Sequence, residues 1–230
     1  ILSIFTVMTT CLQISILSAD WQLSITAQDE NNTGAYHTIH LGTCEVCSDG
    51  FNYGEDQEDY PNPTFGEYTN IHFFNMDWIG TAGENGVPCE FYQFFTDYRA
   101  EHLPDELISW GIRGYTSGEL SQAAIPIILS WDSSAFDSLA DDYEVYLYVG
   151  ELRYDMRGTS SISVSQNDLF LDDNNVPNVW VLMGACASTG TTTYYYDADG
   201  DGLGSNVSDE FCLNNAPQSW VLNYDDEDDD

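Results

Sequence analysis

Asp197, Asp199 and Asp201 stand at alternate positions with Gly202 directly after them, and this is the most specific chemical pattern in the sequence. Alternating carboxylates followed by a residue able to make a sharp bend converge on a hard cation, which takes oxygen ligands. The pattern opens like an EF-hand loop but does not close like one. Ser208 occupies the place of the bidentate Glu, and no amphipathic helix brackets the loop. Closing ligands are expected from the terminal run Asp225-Asp226-Glu227-Asp228-Asp229-Asp230. The expected calcium ligands are therefore Asp197, Asp199, Asp201, the carbonyl of Leu203, and Asp225, Asp226 and Asp228.

Around these aspartates lie Tyr195, Tyr196, Gly200, Gly204, Cys212, Pro217, Trp220, Val221 and Asn223. In that order they resemble the thrombospondin type 3-like calcium-binding repeat of secreted bacterial surface proteins, over residues 194–230. The resemblance implies a calcium-stabilised module that spaces neighbouring domains. It departs from the family in lacking a second Cys within or after the acidic run.

The charge balance suits an extracellular calcium setting. There are 39 acidic residues against four basic ones, giving a net charge of −35; the basic ones are Arg99, Arg113, Arg153 and Arg157, with no Lys. Such a polyanion is repelled by nucleic-acid phosphates and anionic lipid, and has no basic patch to release counterions. The lack of Lys also excludes a Walker A or Schiff-base lysine.

Residues 1–19 carry no charge and precede Asp20, as in the apolar part of a signal peptide cleaved near Ala19, its start missing. From Asp20 to Ser188 the hydrophobic period is two. Alternation over Trp21 to Ala27, Ile71 to Phe74, Ile108 to Ile112, Ile125 to Trp131, Tyr143 to Val149, Ser161 to Ser165 and Val179 to Met183 predicts strands. The predicted fold is all-β, an antiparallel β-sandwich of seven to nine strands over residues 20–188, followed by a small calcium-loop module over 189–230. Short helices are expected only near Glu90 to Ala100 and Ser134 to Ala140. Segments such as Cys47-Ser-Asp49-Gly50-Phe51, Phe94-Phe95-Thr96-Asp97-Tyr98-Arg99 and Tyr154-Asp155-Met156-Arg157 are similar, in their order, to the β-sandwich domain that begins large secreted bacterial surface proteins of the type IX secretion kind. That resemblance implies no catalytic residues.

His37, His40, Cys44 and Cys47 have the inventory of a tetrahedral zinc site, but the spacing fits no known finger. In an exported chain the thiols are expected to oxidise, leaving one of Cys44, Cys47, Cys89, Cys186 and Cys212 without a partner, Cys212 being the expected orphan. The loop Asp49 to Asp59, rich in acids with Asn and Gly, is a second candidate calcium loop or else a solvated acidic loop. With so many carboxylates, a pair suited to glycoside hydrolysis carries no information from composition alone, and no G-x-S-x-G elbow occurs.

These features describe a non-enzymatic, exported cell-surface or adhesin-type fragment, extracellular in location. Calcium is the expected cofactor, glycans or surface proteins are candidate partners, and the ligand of the sandwich is not written in the sequence. The alternatives are a carbohydrate-binding module of a secreted polysaccharide-degrading enzyme and a secreted hydrolase. The charge alone makes one prediction. The thermal midpoint should rise as sodium chloride is raised from low ionic strength, because screening weakens repulsion among carboxylates that have few basic partners. A midpoint that falls or stays level in a salt series would show that self-repulsion does not limit stability.

Overall fold

Alternation of apolar and polar side chains along the chain sorts it into strands with one face turned inward. The computed structural model describes residues 21–59, 66–82, 86–104, 106–117, 125–172, 175–184, 186–189, 191–198, 201–212, 216 and 219–224. The expected signal segment lies outside them. The strands are β1 (Trp21–Asp29), β2 (His37–Cys44), β3 (Thr69–Phe74), β4 (Gln93–Phe94), β5 (Thr96–Ala100), β6 (Ile108–Thr116), β7 (Ile127–Trp131), β8 (Val145–Val149), β9 (Leu152–Asp155), β10 (Ser161–Val164), β11 (Val179–Met183), β12 (Thr191–Tyr196), β13 (Ser208–Cys212) and β14 (Trp220–Val221).

Two sheets form a sandwich-like body: a five-stranded sheet in the order β10-β7-β1-β2-β5 and a six-stranded sheet in the order β4-β3-β6-β11-β8-β9. Leu23, Ile25, Ile39, Leu41, Ile127 and Leu129 of the first pack with Ile71, Phe73, Trp110, Ile112, Leu147 and Val181 of the second in one core. Trp21 and Trp110 meet across the sheets with ring centroids 6.4 Å apart. Inward residues at every second position are what the pleat requires.

The fold class is as the alternation predicts, with more strands than the seven to nine expected. β2, β5 and β9 were hidden by composition. β2 contains the His and Cys residues that suggest a metal site, β5 reads Thr-Asp-Tyr-Arg-Ala, and β9 is an exposed edge. The helix expected near Glu90 to Ala100 is absent, because β4 and β5 occupy that stretch. The expected short helix near Ser134 is a 3-10 turn over Ser133–Ser138, capped by Asp132, whose carboxylate accepts from Ser134 N at 2.9 Å.

β4 and β5 are separated only by Phe95, yet they belong to different sheets. β4 pairs antiparallel with β3, and β5 runs parallel to β2. The chain therefore crosses between sheets at Phe95 and closes one side of the sandwich. Segment 57–59 lies against this crossing through Phe95 N to Gln57 O at 3.0 Å and Asp59 N to Gln93 O at 2.9 Å. Next to it, His37 Nδ1 donates to Ile71 O at 2.7 Å, which ties the start of β2 to the opposite sheet.

Arg157 holds another corner. Its guanidinium donates to four backbone carbonyls: Phe136 and Leu139 at 3.2 Å, Ala140 at 2.7 Å, and Tyr143 at 3.2 Å. It also lies 5.7 Å from the Phe136 ring centroid. Replacing it leaves carbonyls without donors, so Arg157→Met, which keeps the apolar stem, should lower the unfolding free energy by roughly 2–4 kcal/mol in a urea titration. A loss within experimental error would show that water replaces the guanidinium without cost.

Candidate metal centre

β12, β13 and β14 form a separate three-stranded sheet with β12 in the middle. The D-x-D-G-D-G loop leaves the end of β12. Asp197 follows directly after this central strand, its N–H donating to Ser219 O at 2.9 Å, and is 7% exposed. Its carboxylate accepts from Gly202 N at 3.0 Å, folding the loop back on itself. Gly202 has φ +91°, a conformation other residues adopt only with strain. Asp201 accepts from Leu203 N at 2.7 Å, and Leu203 is exposed.

The loop is held from across the module by Asn223. Its amide Nδ2 donates to Gly202 O at 3.2 Å and its Oδ1 accepts from Gly204 N at 3.3 Å. A side chain on Gly204 would come within 2.5 Å of Asn223 O and of Tyr195 Cβ, so only glycine permits this approach. The Tyr224 ring then packs on Tyr195, centroids 5.2 Å apart. Asn223 and Tyr224 immediately precede the acidic run in sequence.

Of the expected ligands, Asp197, Asp201 and Leu203 lie on this loop, the two carboxylates accepting from Gly202 N and Leu203 N. Asp199, Asp225, Asp226 and Asp228 lie outside the described residues. Among the described residues no three His, Cys, Asp or Glu side chains gather at metal-binding distance. The donor chemistry, carboxylates and backbone carbonyls without nitrogen or sulfur, fits a hard cation and not a soft one. Asn223, which the resemblance included without a role, is the residue whose contacts the sequence did not disclose. Its signal was its position just ahead of the acids.

The four zinc-type residues are not a site. Cys44 and Cys47 are joined in a disulfide. His37 and His40, three apart on one strand, face opposite ways: His37 bonds Ile71 O, and His40 Nδ1 is 2.8 Å from Ser24 Oγ. Cys186 is disulfide-bonded, and the free thiol among the described cysteines is the buried Cys89. The side chain of Cys212, the expected orphan, lies outside the described residues.

The acids of the 49–59 loop do not converge. Asp49 faces His102 Nε2 at 2.8 Å, and Asp59 accepts from Asn70 Nδ2 at 3.2 Å. Asp56, 2% exposed, accepts from Asn52 N at 2.8 Å and Tyr98 N at 3.1 Å, which ties the loop to β5. Asp97, fully buried beside it, takes both Arg99 Nε at 2.6 Å and Arg99 Nη2 at 2.9 Å, with Asn75 Nδ2 at 2.8 Å. Arg99 also reaches Asp49 O at 2.7 Å and lies 5.0 Å from the Trp78 ring centroid. The guanidinium is thus fork-paired with Asp97, and its attraction also reaches Asp56, which it does not hydrogen-bond, as the smallest of the influences there. Burial, then the Asp97 charge, push the Asp56 carboxyl up to about 8, against the pull of its two N–H donors.

No protein-family model, curated protein or solved structure matches the chain. The local geometry therefore carries the functional reading. Among the described residues no helix is long and apolar enough to cross a membrane.

The Asp56 geometry sets a pH dependence. Folding raises this pKa from 3.8 to about 8, so between those values the native state keeps a proton that the unfolded chain has released. The stability Asp56 contributes is full below the window and is lost as pH rises through it. Asp56→Asn should flatten the fall in stability across that window when urea midpoints are compared at matched ionic strength. An identical slope in both proteins would remove Asp56 as the titrating group.

Proposed function

We propose that the chain is a non-enzymatic, exported cell-surface or adhesin-type protein whose sandwich is the displayed body and whose C-terminal module is a calcium-stabilised spacer. One observation carries the reading: the Asn223 amide spans Gly202 O and Gly204 N, so the residue two positions before the acidic run in sequence is held on the loop that carries Asp197 and Asp201. Calcium would draw carboxylates from both segments to one point, relieving their repulsion and fixing the strand β14 side of the module to the β12 side. The donors in this role are Asp197, Asp199, Asp201, the Leu203 carbonyl, Asp225, Asp226 and Asp228. A net charge of −35 makes the same demand globally, since bound cations offset the repulsion of a chain with four Arg.

Amide hydrogen exchange tests this. Millimolar calcium, near the Kd of about 10⁻⁴–10⁻³ M usual for extracellular modules, should slow exchange over residues 194–224, with magnesium at equal ionic strength doing much less. Asp201→Ala should abolish the difference. Equal protection by the two cations would mean diffuse counterion binding, and the calcium reading would fall.

A further inference from the structure

The crossing at Phe95 leaves a cavity of about 480 Å³ at the sandwich edge, lined by Tyr53, Gly54, Asp56, Gln57, Glu58 and Phe95. That volume suits an organic group and is far larger than a bare ion needs. The Tyr53 ring is 60% exposed and, with the half-buried Phe95, gives aromatic surface on which an apolar stem or a cation can rest. Gly54, at φ +111° with open space where a Cβ would stand, leaves the rim unobstructed. Among the described residues the polar side chains of the lining are the Asp56 and Glu58 carboxyls, the Gln57 amide and the Tyr53 hydroxyl.

Among the described residues no basic side chain lines the cavity. The one guanidinium near it, Arg99, is committed to Asp97 and to Asp49 O. Ionisation is disfavoured for both carboxyls: for Asp56 by burial and Asp97, and for Glu58 by burial and Glu90. The buried Cys89 thiol, raised first by its own burial, also feels Glu58 and Asp56. The charged groups that face the pair are therefore Asp97 and Arg99 from β5 and Glu90 from the segment before β4, and the acids outnumber the guanidinium. A ligand that brings positive charge supplies what these carboxyls lack, whereas an anion is repelled.

We propose that this cavity is a binding site for an organic cation, the ammonium or guanidinium head of a basic peptide side chain, with its stem on Tyr53 and Phe95 and its charge toward Glu58 and Asp56. The site is separate from the calcium loop, so either reading can fail alone. Binding stabilises the ionised acids, and Asp56 must give up its proton when the cation enters. At pH 7 the uptake of ligand is accompanied by release of about one proton, and affinity falls toward pH 5.

Calorimetric titration of the full chain tests this, with N-acetyl-lysine methylamide as probe, its norleucine analogue and a neutral cello-oligosaccharide as comparisons, in buffers of differing ionisation heat at constant ionic strength. The lysine probe should saturate at one site with buffer-dependent heat, and the two comparisons should not bind. Glu58→Gln and Tyr53→Ala, both at accessible positions on the rim, should each weaken binding about tenfold. Binding that survives both substitutions unchanged would be diffuse attraction to a polyanion and would overturn the proposal. Tighter binding of the oligosaccharide than of the lysine probe would also overturn it, as would saturation without proton release.

Discussion

The strand that changes sheets at Phe95 is the constraint on which one side of the molecule depends. A β-sandwich has two open edges on each side, rows of unpaired N–H and C=O groups that need partners. Here a single run from Gln93 to Ala100 serves both sheets, antiparallel to β3 and parallel to β2. Because it belongs to both layers, it cannot move with either one alone. The 52–59 segment is fixed to it by backbone bonds, by Gln57 N to Thr96 Oγ1 at 2.6 Å, and by the Asp56 carboxylate. Asp97 is turned inward by the same crossing, and this is why Arg99 follows it to a buried position.

Charge is the second constraint and acts against the first. Three of the four Arg side chains are taken up by the fold: Arg99 in the Asp97 pair, Arg157 in a ring of carbonyls, and Arg113 5.7 Å from the Phe74 ring centroid. The surface acids therefore have almost no cations within the chain. Asp97 has an ion pair with Arg99, whereas the buried Asp29 and Asp56 rely on N–H donors. Asp29, 2% exposed, accepts from Thr33 N and Gly34 N; burial opposes its ionisation, yet these bonds hold the carboxyl below its ordinary range. Asp56 receives similar bonds but sits beside Asp97, and there burial and repulsion win. Asp29 has more donors, the Thr33 hydroxyl among them, whereas Asp56 is more strongly desolvated and faces Asp97.

The C-terminal module answers the same repulsion with backbone geometry. Its loop turns on glycines, with the Asp197 carboxylate and the Asn223 amide each reaching loop amides or carbonyls. These bonds and the close approach at Gly204 fix the described part of the loop against Asn223. In a chain this acidic, the places where carboxylates can approach one another are set by backbone donors and glycines, because cationic side chains are too few.

The sequence alone determined the all-β class. Alternation in Trp21 to Ala27, Ile125 to Trp131 and Val179 to Met183 leaves one face apolar, and only a pleated strand buries such a face. The sequence also singled out Asp197, Asp199 and Asp201 as a candidate loop, because spacing along a chain is local. It could not yield β5, whose polar residues are buried by a parallel partner and a distant loop, nor β9, whose exposed edge has no apolar face to betray it. Oxidation of Cys44 and Cys47 was legible from the sequence, whereas the separation of His37 and His40 follows from the strand's period of two, which sends them to opposite faces. The Asp56–Asp97–Arg99 arrangement joins residues roughly forty positions apart, and the choice of which acid obtains the guanidinium follows from their distances in space. Neighbours along the chain are fixed by spacing and period, whereas partners across the sheets depend on register and crossing, which only the packed tertiary structure decides.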